Sequence, residues 1–103
     1  VVAATPASAA ELCYEAQVCF YTEKNGEGSK TFYWDDTHEI GQKYRARDFL
    51  TNALSIRNRT PYYFHIWNGK GSHRCLPPGY KFTYVGDAYA HKITAFGLYS
   101  NWC

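Results

Sequence analysis

Short apolar runs, rich in β-branched and aromatic side chains, alternate along the chain with clusters of Gly, Asn and Pro. Such a pattern is typical of β-strands joined by turns. The predicted strands are residues 18–22, 30–34, 53–58, 62–67, 80–85 and 92–98. Helical periodicity is weak, and only residues 42–50 favour a short helix. Short strands with frequent turns predict an all-β sandwich or barrel.

The sequence Asn-Gly-x-Gly-Ser occurs twice, starting at Asn25 and at Asn68. Each half later reaches an apolar strand that carries a hydroxyl residue, Ser55 or Thr94. The halves therefore resemble two copies of a unit of roughly 40 residues and four strands, and packing two units together buries the apolar face that one would expose. Glycine is suited to positive φ. We expect folded-over hairpins at the four turn glycines, Gly26, Gly28, Gly69 and Gly71.

Size and charge limit the classes of function. A chain of 103 residues with a net charge of +2 is expected to form a single domain, and we expect a monomer. Positive and negative charges are mixed and no Lys/Arg run occurs, so neither nucleic acid nor a membrane is an expected partner. No stretch reaches the ~20 apolar residues of a membrane span.

The first ten residues differ from the rest, since they are mostly small, apolar and uncharged. Ala7-Ser8-Ala9 fits the A-x-A cleavage site of a secretory signal peptide. We therefore expect residues 1–10 to be a signal-peptide remnant and residues 11–103 to be the single folded domain. The alternative for residues 1–10 is a native N-terminus without fixed structure.

Four cysteines in a chain of this length suggest disulfides and an extracellular, secreted protein. Sequence alone leaves three pairings open. We favour Cys13–Cys19, which closes a short loop, and this leaves Cys75–Cys103 to tie the last residue to a loop. Zinc is the competing interpretation, but the spacings do not match paired metal ligands with nearby His.

Two hairpins carry a resemblance to a known fold. Residues 21–28 and 64–71 each run from an aromatic residue to a glycine, and each is followed about thirty residues on by Ser or Thr. They resemble the Greek-key motif of the βγ-crystallin fold, although Gly26 and Gly69 replace its second aromatic residue. The resemblance spans residues 18 to 99 and implies a βγ-crystallin-like sandwich of two Greek-key motifs.

The second hairpin leads into the unusual segment "RCLPPGY", residues 74–80. Proline restricts φ and the conformation of the preceding residue, so Pro77 and Pro78 stiffen an extended segment. A disulfide at Cys75 would anchor one side. A rigid extended loop binds a protease like substrate while losing little entropy.

This segment and the early cysteine pair resemble the secreted Streptomyces-type metalloproteinase inhibitors. The resemblance rests on Cys13 and Cys19 before the first strand and on residues 74–86. It implies an inhibitor of thermolysin-like enzymes that carries no cofactor and no metal of its own. It also implies Cys75–Leu76 as the reactive bond, with the Cys75 carbonyl approaching the enzyme's zinc.

The same resemblance assigns the neighbouring residues. Leu76 would supply the bulky apolar residue that thermolysin-like enzymes prefer after the cleaved bond. From their places in the segment, we also expect Arg74 and Tyr80 to contact the enzyme. The chain departs from the family near Gly79, where the family has a second loop cysteine. In addition, Pro77, two places after the bond, has no N–H to donate to an enzyme.

Two other classes of function compete with that of an inhibitor. Many βγ-crystallin domains bind calcium, but only Asn52 and Ser55 remain here as weak candidates for the oxygen ligands that calcium needs. A βγ-crystallin-type calcium-binding or stress protein is therefore one alternative, and a secreted toxin or carbohydrate-binding module, served by exposed Tyr and Trp, is another. We predict that the chain is not an enzyme, because the common catalytic motifs do not occur.

Overall fold

The computed structural model describes residues 12–101 and 103. Eight strands occur in this part of the chain. They are β1 (Gln17–Tyr21), β2 (Lys30–Trp34), β3 (Tyr44–Arg45), β4 (Ser55–Asn58), β5 (Tyr63–Trp67), β6 (His73–Leu76), β7 (Lys81–Phe82) and β8 (Ala95–Tyr99). One α-helical turn, α1 (Asp48–Thr51), and two 3-10 turns, Lys24–Gly26 and Asp35–Thr37, complete the elements. No described helix is long and apolar enough to cross a bilayer.

The strands form two four-stranded antiparallel sheets, which confirms the predicted all-β sandwich. The first sheet has the order β2-β1-β4-β7, and the second has the order β3-β8-β5-β6. Each half of the chain therefore gives three strands to one sheet and its third strand to the other. The two Greek keys interlock, and neither half completes a sheet alone.

Successive side chains of a strand point to opposite faces of its sheet, so apolar residues at every second position lie between the two sheets. Val18 and Phe20 of β1 face the core, as do Phe64 and Ile66 of β5. The rings of Phe20 and Phe64 lie 5.7 Å apart across the sandwich. A smaller apolar cluster on the other face of β1 contains Cys13, Cys19 and Tyr21.

The predicted helix over residues 42–50 was largely wrong. Tyr44 and Arg45 form β3 and pair with β8, and the helical turn begins only at Asp48. The ring of Tyr44 stacks on Phe96 at a centroid distance of 5.8 Å. Pairing and stacking across the second sheet therefore outweigh the local helical preference.

The two Asn-Gly-x-Gly-Ser copies share positive φ at all four predicted glycines but not the same hairpin length. The first hairpin is closed by the Thr22 N–H donating to the Ser29 carbonyl at 3.1 Å. The second is closed by the Asn68 N–H donating to the Ser72 carbonyl at 3.3 Å and holds fewer residues. Only the first copy places its Asn, Asn25, in the left-handed region, at φ 62°.

The predicted hydroxyl residues lie beneath these hairpins. The Ser55 hydroxyl accepts from the Gly26 N–H at 2.9 Å and donates to the Glu23 carbonyl at 2.6 Å. Thr94 lies under the second turn, where a Cβ on Gly69 would come within 3.1 Å of it. The repeat is therefore a repeat of structure, with Ser55 tethering one turn and Thr94 filling the space under the other.

Both favoured disulfides are present. Cys13 and Cys19 are bonded with their Cα atoms 6.0 Å apart, and Cys75 and Cys103 with theirs 5.3 Å apart. The first bond holds the chain before β1 against the outer face of that strand. The second ties the last residue to β6. The expected signal-peptide remnant at residues 1–10 lies outside the described residues.

Candidate functional site

The predicted reactive segment joins the two sheets. Arg74, Cys75 and Leu76 belong to β6, which is an edge strand of the second sheet. The chain then crosses to β7, an edge strand of the first sheet. The first part of the segment therefore belongs to a strand and the second part is a connection between the sheets, and different contacts fix the two parts.

The crossover is a tight β-turn built by its own sequence. The Tyr80 N–H donates to the Pro77 carbonyl at 3.1 Å, and Gly79 has φ +81°. Pro at the second position and a positive-φ Gly at the third are the residues that a type II turn requires. The segment "PPGY" thus has one strongly preferred backbone conformation.

Asn58 lies beneath this turn and contacts most of it. Its backbone N–H donates to the Tyr80 carbonyl at 3.0 Å, and its own carbonyl accepts from the Gly79 N–H at 2.9 Å. Its side-chain Nδ2 donates to the Leu76 carbonyl at 3.0 Å, with the Pro77 carbonyl at 3.4 Å. The sequence did not predict a role for Asn58 in this segment. Its position at the end of a predicted strand carried no signal of this role.

Cys75 is anchored on two sides. In the register of β5 and β6 it lies opposite His65, and its sulfur is bonded to Cys103. His65 belongs to the outer face of the second sheet but is fully buried, because Trp67, His73 and Tyr99 pack around its ring. The outer face beside Cys75 is therefore a packed aromatic surface.

Arg74 is exposed, but its guanidinium has intramolecular partners. Nη1 donates to the Val85 carbonyl at 2.8 Å, and the guanidinium carbon lies 4.0 Å from the centre of the Phe82 ring. These contacts fasten β6 to the segment around β7. A partner would meet Arg74 in this fixed position.

The side chain of Leu76 lies in the core and is only 2% exposed. It faces Phe64 across the strand pair. The sequence predicted that Leu76 enters an enzyme pocket, and in the folded chain this side chain contributes to the packing of the core.

Tyr80 is exposed on the turn, with 65% of its surface open to solvent. Pro77 and Pro78 are partly buried. An open groove lies beside the turn, and its lining includes Pro78, Gly79, Glu15 and Asp35. The exposed part of the segment therefore comprises Arg74 on β6 and Gly79 and Tyr80 in the turn.

The weak calcium candidates are not arranged as ligands. Asn52 is exposed at the end of α1, whereas Ser55 is buried with its hydroxyl hydrogen-bonded to two backbone groups. The cleft next to Ser55 is lined by Arg57 and Lys81, which face each other across β4 and β7. Two positive side chains oppose a cation at this place.

His38 lies between the acidic residues Asp36 and Glu39 in the sequence, and its ring packs against aromatic side chains. The His38 ring lies 4.4 Å from Tyr33 and 4.8 Å from Tyr44, measured between ring centres. Burial lowers the pKa of His38, and the positive charge of Arg47 lowers it further. Among the described residues, no group of three or more His, Cys, Asp or Glu could hold a metal ion.

A protein-family model matches more than half of the chain. The model of peptidase inhibitor family I36 matches residues 6–76. The chain belongs to this family. The match confirms the resemblance to the Streptomyces-type metalloproteinase inhibitors, and it confirms that the chain is an inhibitor of peptidases and not an enzyme. A peptidase is its partner, and the two disulfides fit an extracellular protein.

A solved structure supports the fold of this inhibitor. The chain is similar to the βγ-crystallin domain of Abundant Perithecial Protein from Neurospora crassa, solved in a Ca2+-bound form. The TM-score is 0.63 at 19% identity, over 85% of this chain and 93% of that one. At this identity the likeness concerns the fold alone, and it confirms the predicted βγ-crystallin-like sandwich. No curated protein matches the chain.

Proposed function

We propose that this inhibitor acts on secreted thermolysin-like metalloproteinases and that it presents the segment from Arg74 to Tyr80 to the enzyme. The observation that carries the proposal is the combination of rigidity and exposure at the turn. Asn58, the Cys75–Cys103 disulfide and two prolines hold the segment, while Tyr80 remains 65% exposed. A segment that is ordered before binding loses little conformational entropy when it binds.

Cleavage within the segment would not release its ends. If the Cys75–Leu76 bond were cut, Cys75 would stay attached through Cys103 and Leu76 would stay packed in the core. Both new ends would remain close to each other and to the enzyme. This retention supports an inhibitory role over that of an ordinary substrate.

We further propose that the enzyme first contacts the aromatic side chain of Tyr80. Exposing a buried Leu costs about 1.5–3 kcal/mol, so Leu76 is reached only when the edge of β6 opens. Tyr80 is accessible without such an opening. Reaction at the Cys75–Leu76 bond, with the enzyme's zinc polarising the Cys75 carbonyl, would then follow the first contact.

The decisive experiment measures inhibition of thermolysin by the wild type, Tyr80→Ala and Phe32→Ala. Phe32 is a suitable control because it is also exposed but lies on β2, at the opposite edge of the first sheet from β7. We expect tight inhibition by the wild type, a loss of at least tenfold in Tyr80→Ala and no change in Phe32→Ala, since central aromatic residues dominate binding energy.

Each other outcome rejects a named part of the proposal. Equal inhibition by all three proteins would show that Tyr80 does not contribute to binding the enzyme. Inhibition of a serine protease but not of thermolysin would preserve the family function and reject the metalloproteinase target. No inhibition of either class at micromolar protein would reject the proposed target and the proposed segment together.

The carbohydrate-binding alternative has one observation in its favour. Phe32 and Trp34 are both exposed on the outer face of β2, with their ring centres 5.8 Å apart. Exposed aromatic rings stack on apolar faces of ligands. Retention of the protein on insoluble glycans, lost in Trp34→Ala, would support this second candidate.

A further inference from the structure

Asn58 connects both ends of the proposed contact segment to the body of the protein. It is the last residue of β4 and is fully buried. Its backbone N–H and carbonyl are hydrogen-bonded to Tyr80 and Gly79, where the chain leaves the turn. Its side-chain amide donates to the carbonyl of Leu76, where the chain enters the turn. The two halves of the segment therefore meet at one residue.

The orientation of the Asn58 amide follows from its neighbours. Oδ1 accepts from the Thr60 N–H at 3.0 Å and from the Thr60 hydroxyl at 2.7 Å. Nδ2 donates to the Tyr62 carbonyl at 2.7 Å and to the Leu76 carbonyl at 3.0 Å. A backbone N–H can only donate and a carbonyl can only accept, so the reverse orientation would break this network.

No other side chain reproduces these contacts. Asp has the same shape but lacks the N–H donors when ionised, and Ala lacks both the donors and the acceptor. The pattern Asn58-Arg59-Thr60 is also a glycosylation sequon. Because its amide is buried and fully hydrogen-bonded, Asn58 serves the fold of the segment and not as a glycan acceptor.

We infer that Asn58 is a positioning residue for inhibition. Its side-chain amide sets the direction in which the chain leaves β6, and thereby the placement of Tyr80 toward the enzyme. This inference rests on the proposed function of the segment. Without the amide, the backbone bonds to Gly79 and Tyr80 remain, but the entry at Leu76 and Pro77 loses its donor and the segment samples more conformations.

The test compares Asn58→Asp with Ser55→Ala. Ser55 is as deeply buried as Asn58 and also bonds two backbone groups, but it lies under the first hairpin and does not contact the segment. It therefore controls for a general loss of stability. The readouts are direct binding to thermolysin and hydrogen exchange of the Gly79 and Tyr80 amides.

We expect Asn58→Asp to bind thermolysin on the order of tenfold to 100-fold more weakly at pH 8, because hydrogen bonds and preorganisation are lost. Exchange at Gly79 and Tyr80 should accelerate. Burial raises the pKa of a carboxyl, so lowering the pH favours the protonated form, which restores one O–H donor and recovers part of the affinity. Ser55→Ala should keep wild-type binding, exchange and pH profile.

Two results would overturn the inference. One is a folded Asn58→Asp protein that binds as tightly as the wild type. The other is an equal loss of affinity in Ser55→Ala, which would make the effect one of stability alone. If Asn58→Asp does not fold, Thr60→Val removes the hydroxyl bond to Oδ1 together with the hydroxyl's bonds to the Tyr62 backbone, and wild-type exchange at Gly79 in that variant would count against the inference.

The exchange readout separates this inference from the proposed function. If the wild type fails to bind thermolysin, the proposed target is rejected, while faster exchange in Asn58→Asp still shows that the amide holds the turn. If the wild type binds and Asn58→Asp loosens the turn without weakening binding, the proposed function stands and the positioning role is rejected.

Discussion

Leu76 lies directly opposite Phe64 in the register of β5 and β6, with its side chain in the core between the two sheets. Its neighbour Cys75 is bonded to the last residue of the chain. The peptide bond between them is therefore part of a sheet edge, held by packing on one side and by a disulfide on the other.

Leu76→Ala should lower the free energy of unfolding by about 2–5 kcal/mol, because it leaves a cavity in the core. Tyr80→Ala, at an exposed position in the same segment, should change it by less than about 0.5 kcal/mol. Urea unfolding followed by tryptophan fluorescence measures both. Equal effects of the two substitutions would contradict the assignment of Leu76 to the core.

Replacing Cys75 and Cys103 together with Ser should lower the free energy of unfolding by about 3–4 kcal/mol, the loop entropy expected for a sequence separation of 28. The same variant should be cut by thermolysin and release its products, since Cys75 is then no longer tethered. Mass spectrometry of the digest follows the cleavage. Slow cleavage with retained inhibition would show that the core and Asn58 suffice to hold the segment.

Tyr33→Phe should leave the protein as stable or make it about 1 kcal/mol more stable. The Tyr33 hydroxyl is buried without a hydrogen-bond partner among the described residues, and burial is the main cause that raises its pKa well above the ordinary value. Tyr44→Phe is the matched control, because the Tyr44 hydroxyl accepts from the Glu39 N–H at 2.9 Å. The unfolding temperature should therefore fall in Tyr44→Phe and stay the same or rise in Tyr33→Phe.

Stability should fall as the pH drops below the ordinary pKa of His38, 6.5. The pKa of His38 is lower in the folded state than in the unfolded state, so the unfolded state takes up the proton first. The contribution is present above pH 6.5 and is lost as the pH falls toward the folded-state pKa. Urea midpoints between pH 5 and 7.5 should flatten in His38→Gln, and an unchanged slope would assign the dependence to other groups.

Millimolar calcium should not raise the unfolding temperature of this protein. The Ser55 hydroxyl is engaged by Gly26 and Glu23, and Arg57 and Lys81 line the adjacent cleft. A ligand that binds only the folded state would stabilise it, so differential scanning fluorimetry with calcium and with EDTA gives the answer. A rise of several degrees would favour the calcium-binding alternative.

Much of the fold was predictable because it depends on local patterns. Alternating residues such as Val18 and Phe20 identified β1, and the paired Asn-Gly-x-Gly-Ser turns identified two units. Errors occurred where long-range contacts decide the structure. Tyr44 forms a strand because β8 lies beside it, and β7 is only two residues long although residues 80–85 look extended.

By itself, the sequence determined the strand-rich class, the duplicated hairpin, the four positive-φ glycines and the segment with Cys, Leu and two prolines. These features follow from side-chain chemistry and backbone sterics within a few residues. Only the tertiary structure decided that Leu76 is buried, that Tyr80 is exposed and that Asn58 supports the turn. Burial and hydrogen-bond partners depend on which distant strands pack together, and a single sequence does not record that pairing directly.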